Sequence, residues 1–145
     1  MIEVTGFDHI YITVSDIARA EAFYDRVMPL LGFRKNSFTL GGDPHIQYFN
    51  RHFGYVIRPA RSAGAHDSYA PGLHHLCLRV DSVDEVVQAA KALRTAGIDA
   101  SEAKRYEEYA PDYWATFFSD PDGIRLEITN YRQERRDRHD QWDRA

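Results

Sequence analysis

The sequence predicts an α+β fold built from two copies of one βαβββ module. Three observations predict it. Two matching stretches, His9-Ile-Tyr-Ile-Thr-Val-Ser15 and His75-Leu-Cys-Leu-Arg-Val-Asp81, stand 66 positions apart, each with a histidine in an alternating strand. Each is followed by a helix-like segment that ends at a glycine, Gly32 and Gly97. Each helix is then followed by material for about three more strands. A βαβββ unit cannot bury a curved sheet alone, so two must pair.

In the first module, Ile10, Ile12 and Val14 share one face of the opening strand, and His9, Tyr11 and Thr13 share the other. Ser15-Asp16 predicts a helix cap. The helix is expected to run to about Leu31, with Ile17, Ala20, Phe23 or Tyr24, Val27 and Leu30 or Leu31 as its apolar stripe. Pro29 in the last turn predicts a bend or early fraying. Strands are expected at about Arg34 to Leu40, His45 to Asn50 and Gly54 to Arg58.

The second module repeats this plan. Leu76, Leu78 and Val80 form the apolar face, with His75, Cys77 and Arg79 opposite. Ser82-x-x-Glu85 is a capping box, and Val83, Val86, Val87, Ala90 and Leu93 have helical spacing. Strands are expected at about Ala100 to Lys104, Tyr113 to Ser119 and Ile124 to Asn130. Asp120-Pro-Asp-Gly123 is a hairpin turn, because Pro presets one dihedral and Gly supplies a positive φ.

These elements place one domain at residues 1–131, made of modules at about 5–59 and 72–131. The segment from Pro59 to Gly72 is the connection. Residues 132–145 form a tail dense in charge of both signs, expected as a solvated helix or loose end, with Trp142 its one hint of docking.

Composition narrows the function classes. A chain of 145 residues suits one domain or two small modules sharing a core. At 43% hydrophobic and 28% charged it is ordinary soluble globular material. A net charge of −4 gives no reason to expect nucleic acid as a partner. No stretch approaches the roughly 20 apolar residues that a membrane helix needs. The opening MIEVTGFDH has no basic segment followed by an apolar run, and the one cysteine, Cys77, cannot form an internal disulfide, so a cytoplasmic location is expected.

Residues two apart on a strand point the same way. If the Ile, Val and Leu faces pack on the helices, His9, His75 and Glu127 lie on the opposite faces. Glu127 alternates with Arg125 and Thr129 against the apolar set Ile124, Leu126 and Ile128. Two imidazoles and a carboxylate facing one cavity suit a divalent transition metal with open positions for water and substrate. A lone strand histidine is more often structural, and Glu127 beside Arg125 reads as an ordinary ion pair. Three such positions in a duplicated chain favour the metal.

His74 is expected to face away from His75. His45, His52 and His66 fall in expected loops or edges and receive no role. Cys77 shares the His75 face as a small apolar filler. The segment from Lys104 to Trp114 is a lid, a pocket wall or an edge strand packed on a dimer partner.

At these residues the chain resembles the vicinal oxygen chelate superfamily, the glyoxalase / bleomycin-resistance / extradiol-dioxygenase group. The matching pieces are Asp8-His9-Ile-Tyr-Ile-Thr-Val-Ser-Asp16, Ala22-Phe-Tyr24 with Leu31-Gly-Phe33, His75-Leu-Cys-Leu-Arg-Val80 and Asp120-Pro-Asp-Gly-Ile-Arg-Leu-Glu127. The resemblance implies paired βαβββ modules forming a curved eight-stranded mixed sheet, a cup around a metal with helices outside. It implies a homodimer, with His9 from one module and His75 and Glu127 from another.

Glyoxalase I has a fourth ligand on the last strand of the first module. Matching Gly54 to Gly123 puts Arg58 opposite Glu127, and a one-residue slip gives Ile57; neither binds a metal. Arg58 is instead expected to pair with a substrate carboxylate or enolate, or with Glu127 in a metal-free site. Tyr11, which stands where fosfomycin-modifying relatives commonly have a threonine, and Tyr113 join it as substrate-binding candidates. No catalytic acid or base is assigned.

The expected function is that of a divalent-metal-dependent enzyme acting on a small oxygen-chelating substrate by lyase, isomerase or ring-cleaving dioxygenase chemistry, with Fe, Mn, Zn, Ni or Co as the metal. The alternative is a metal-free protein that binds and sequesters a small molecule of antibiotic type.

Overall fold

Alternation along the first strand becomes alternation in burial. In β1 (His9–Val14), Ile12 and Val14 are buried and Ile10 half-buried, whereas His9, Tyr11 and Thr13 are exposed. The computed structural model describes residues 1–144 and divides them into two units. One unit comprises Met1–His66 with Asp120–Asp122; the other comprises Asp67–Ser119 with the residues from Gly123 onward. The fold is α+β, with three α-helices and two four-stranded mixed sheets.

In the N-terminal unit, α1 (Ile17–Val27) starts at Asp16, whose side chain accepts the Arg19 N–H at 3.0 Å. It buries Ala20, Phe23, Tyr24 and Val27. Pro29 ends the α-helix as expected, and the chain tightens into a 3-10 turn over Met28–Leu31 before Gly32 closes it at φ 82°. Three strands follow: β2 (Arg34–Leu40), β3 (Asp43–Phe49) and β4 (Gly54–Pro59). The sheet order is β1-β4-β3-β2, with β1 parallel to β4 and the other pairs antiparallel.

β3 starts at Asp43 rather than at the expected His45. Gly41 and Gly42 have φ of 60° and 82°, so they form the two-residue turn that glycine permits and the ladder resumes at once.

The helix-facing side of this sheet holds a tyrosine cluster. The Tyr24 ring lies 5.2 Å from Tyr55 and 6.0 Å from Tyr48, and all three are fully buried. Burial is tolerable because each hydroxyl is bonded. Tyr24 Oη is 2.8 Å from Tyr55 Oη and donates to Asp120 Oδ2 at 2.9 Å, and Tyr48 donates to Asp25 Oδ1 at 2.8 Å.

The C-terminal unit repeats the plan with β5 (Leu76–Val80), α2 (Val83–Thr95), β6 (Lys104–Arg105), β7 (Trp114–Ser119) and β8 (Arg125–Asn130). Its order is β5-β8-β7-β6, again with the outer pair β5 and β8 parallel. Both halves of the Ser82–Glu85 capping box form. The buried face of α2 is Val86, Ala89, Ala90 and Leu93; Val87, expected in that stripe, is 43% exposed.

β6 is far shorter than the expected Ala100-to-Lys104 strand. At Ser101 one backbone bond persists, its N–H to the Phe117 carbonyl at 2.9 Å, but its Oγ accepts the Phe117 N–H at 3.0 Å and its carbonyl accepts the Thr116 hydroxyl at 2.6 Å, so side chains take over the other bonds that a ladder would use. The tail forms α3 (Gln133–Gln141), with no buried residue. Trp142 is 65% exposed, so its hint of docking has no counterpart among the described residues, and Ala145 lies outside them. Among the described residues, no helix is long and apolar enough to cross a membrane.

Candidate functional site

In each unit the helix covers one sheet face, and the histidines sit with the other. In the C-terminal unit, parallel pairing sets Cys77 beside Glu127. His75 stands one residue ahead of β5, not within it as expected. Glu127 is 3% exposed and doubly engaged. Tyr113 donates its hydroxyl hydrogen to Oε1 at 2.8 Å, and His75 Nε2 lies 3.6 Å from Oε2. Burial, then the bond to Glu127, holds the Tyr113 hydroxyl above its usual range, so it stays a donor.

His74 also comes to this site, contrary to expectation. Its Nδ1 lies 2.6 Å from His75 Nδ1, a contact that needs a proton on one of the two nitrogens. With that proton on His75, the His75 Nε2 lone pair and Glu127 Oε2 are two acceptors at 3.6 Å. Ligand atoms about 2.1 Å from one cation stand at roughly that separation. The donor chemistry therefore fits a divalent metal at this pair.

A cavity of about 570 Å³ opens here, lined among others by His75, Tyr109, Tyr113, Phe117, Arg125 and Glu127. Tyr109 and Tyr106 stack at 5.5 Å, and Tyr106 meets Phe117 edge-on at 5.4 Å, so the segment expected as a lid or wall supplies an aromatic wall. Desolvation and then the neighbouring Glu127 carboxylate push the Cys77 thiol above its usual range, although the residue as a whole is exposed. Arg132, which no sequence motif marks, lies 4.5 Å over the Tyr113 ring, with its Nε buried and without a hydrogen-bond partner.

In the N-terminal unit, His9 opens β1 and its Nδ1 lies 2.6 Å from Asp8 Oδ2. A carboxylate on Nδ1 fixes the tautomer and leaves Nε2 available as a ligand. Tyr11 packs edge-on against His9 at 5.5 Å and His45 at 5.6 Å, and both His9 and Tyr11 line a cavity of about 390 Å³. His45 is not a loop or edge residue: it is 1% exposed in β3, with Nδ1 bonded to the Asp43 carbonyl at 3.0 Å and Nε2 unpartnered. Among the described residues, no three His, Cys, Asp or Glu side chains gather closely enough to hold a metal.

The register corrects the expected equivalence of Arg58 and Glu127. Tyr11 pairs with Val56, while its repeat mate Cys77 pairs with Glu127, so Val56 stands in the Glu127 position. Arg58 corresponds to Thr129 instead. Val56 is 2% exposed and apolar, so no fourth ligand arises there. The turn-glycine match failed because Gly54 lies inside the ladder, opposite His9, whereas Gly123 lies in the turn before it. The Arg58 guanidinium bonds Asp43, and its Nε donates to the Pro59 carbonyl at 3.3 Å.

The chain matches the family model described as Glyoxalase/Bleomycin resistance protein/Dioxygenase superfamily over residues 6–128. It is 30% identical over 141 residues to the uncharacterized protein YaeR of Escherichia coli strain K12, covering 88% of this chain and 98% of that one. Its fold is similar to a glyoxylase/bleomycin resistance protein/dioxygenase domain from Frankia sp. EAN1pec, with a TM-score of 0.73 at 22% identity over 90% of this chain and all of that one. It is also similar to lactoylglutathione lyase from Agrobacterium tumefaciens, with a TM-score of 0.64 at 18% identity over 88% and 95% of the two chains. At such identities the two structures speak for the fold alone. With two βαβββ modules and a family match across both, this chain belongs to the Glyoxalase/Bleomycin resistance protein/Dioxygenase superfamily.

Proposed function

We propose that the protein is a divalent-metal-dependent enzyme that acts on a small substrate through two of its oxygens. The observation that carries this reading is the His75–Glu127 pair, two donor atoms 3.6 Å apart at the wall of an aromatic cavity. His9, its Nδ1 held by Asp8, is the proposed third donor. The superfamily is often dimeric, and the proposed assembly is a homodimer in which the partner's N-terminal module supplies that histidine. A metal there would act as a Lewis acid on an enolate or similar oxyanion.

The chain's own residues have definite tasks in this reading. Tyr113 pins Glu127 Oε1, so the carboxylate presents Oε2 in one orientation. His74 orients the His75 ring through its Nδ1. Tyr109 and Phe117 wall the cavity and hold a planar substrate out of water. Tyr11 borders the His9 donor, where it would touch substrate. Arg58, engaged by Asp43, is a weaker substrate-binding candidate than the sequence alone implies.

A second reading has its own support. Tyr113 already donates to Glu127 without a metal, and a protonated His75 at 3.6 Å would complete an ion pair with it, as a protein that sequesters a small aromatic compound would require. The superfamily holds both enzymes and non-enzymatic resistance proteins. Metal analysis separates the two readings. The enzyme reading expects stoichiometric uptake of Fe, Mn, Zn, Ni or Co after dialysis, and turnover in a screen of catechols, thiohemiacetals and epoxides. A protein that takes up none of these ions favours sequestration.

A further inference from the structure

We infer that Arg125 is a specificity-determining residue that binds a carboxylate on the substrate, making the ligand a small aromatic acid rather than a neutral ring. The inference rests on the chelate reading above for where the ligand's other end lies. Arg125 alternates with Glu127 on β8, so both project to the same sheet face, and Arg125 lines the same cavity.

Several arginines of this unit have partners: Arg79 lies 4.0 Å over the Tyr131 ring, Arg94 pairs with Glu102 at 3.2 Å and Arg138 with Glu134 at 2.8 Å. The exposed side chain of Arg125 has no hydrogen-bond or ion-pair partner among the described residues, although Asp99 lines the same cavity. A second guanidinium, Arg132, flanks the aromatic wall from the Tyr113 side. The cavity thus joins aromatic rings to the Arg125 guanidinium, while its buried carboxylate already accepts a hydrogen bond from Tyr113.

Geometry sets the ligand's length. Alternate residues on a strand are about 6.6 Å apart along the backbone, so a ligand that reaches from Arg125 to the His75–Glu127 end is a small one. A benzoate ring with a hydroxyl opposite its carboxylate spans about that length. Its hydroxyl would point to the His75–Glu127 end, its ring would stack on Tyr109 or Phe117, and its carboxylate would take two N–H donors from Arg125.

The test uses 4-hydroxybenzoate and its neutral near-isostere 4-hydroxybenzamide, titrated calorimetrically into the full-length protein after chelator treatment. Wild type should bind the acid roughly tenfold more tightly than the amide. Arg125→Gln should abolish that preference, whereas Lys91→Gln, which removes a charge from an exposed position on α2, should keep it. Equal affinities in wild type, no binding of either compound, or a preference that survives Arg125→Gln would overturn the inference. Metal uptake by the same preparations is read separately. Uptake without an acid preference removes the inference and leaves the chelate reading; an acid preference without uptake does the reverse.

Discussion

Tyr113 and Glu127 are joined by a hydrogen bond of 2.8 Å between β8 and the residue just ahead of β7, and Glu127 is almost completely buried. The phenol orients the carboxylate that the proposed metal requires. Tyr113→Phe should therefore leave the fold intact and weaken metal binding by about ten- to a hundredfold. Competitive titration with a chelating dye reads this directly. Unchanged affinity would mean that Glu127 orients itself or does not bind the metal.

Tyr24 is the hub of the N-terminal core, meeting Tyr55 and Asp120 through one hydroxyl. Tyr24→Phe should cost about 1–3 kcal/mol, because Asp120, 5% exposed, loses a donor that water cannot replace. Urea unfolding measures the loss. Tyr11→Phe, at a ring 42% exposed, should change stability by less than about 0.5 kcal/mol.

The same cluster predicts how stability varies with pH. Burial is the first cause that raises the hydroxyl pKa of Tyr24, Tyr48 and Tyr55 above the usual value of about 10. The folded state then keeps protons that the unfolded chain gives up, so these groups stabilise fully below pH about 10 and less as pH rises beyond it. Phenolate absorbance should show these tyrosines ionising together with unfolding. Smooth titration of all nine tyrosines in folded protein would contradict this.

Much of the fold was legible because it is written locally. Alternation at Ile10, Ile12 and Val14, the Asp16 cap, the Ser82–Glu85 box and the Asp120-to-Gly123 turn each depend on neighbours within a few residues. Features set by distant partners were not legible. The brevity of β6 depends on Ser101 reaching β7, and the burial of His45 depends on where β3 starts. The mismatch of Arg58 and Glu127 needs the two parallel registers, which no turn motif reveals. For the site, shared strand faces indicated that His75 and Glu127 belong together. The partners that orient them, His74 and Tyr113, emerge only from packing.

The most direct measurement is anomalous scattering from a crystal of the protein loaded with cobalt or manganese. One peak per chain is expected, at about 2.0–2.3 Å from His75 Nε2, Glu127 Oε2 and a His9 Nε2. A peak bound elsewhere, or Glu127 still held only by Tyr113 and His75 in crystals soaked with excess ion, would contradict this.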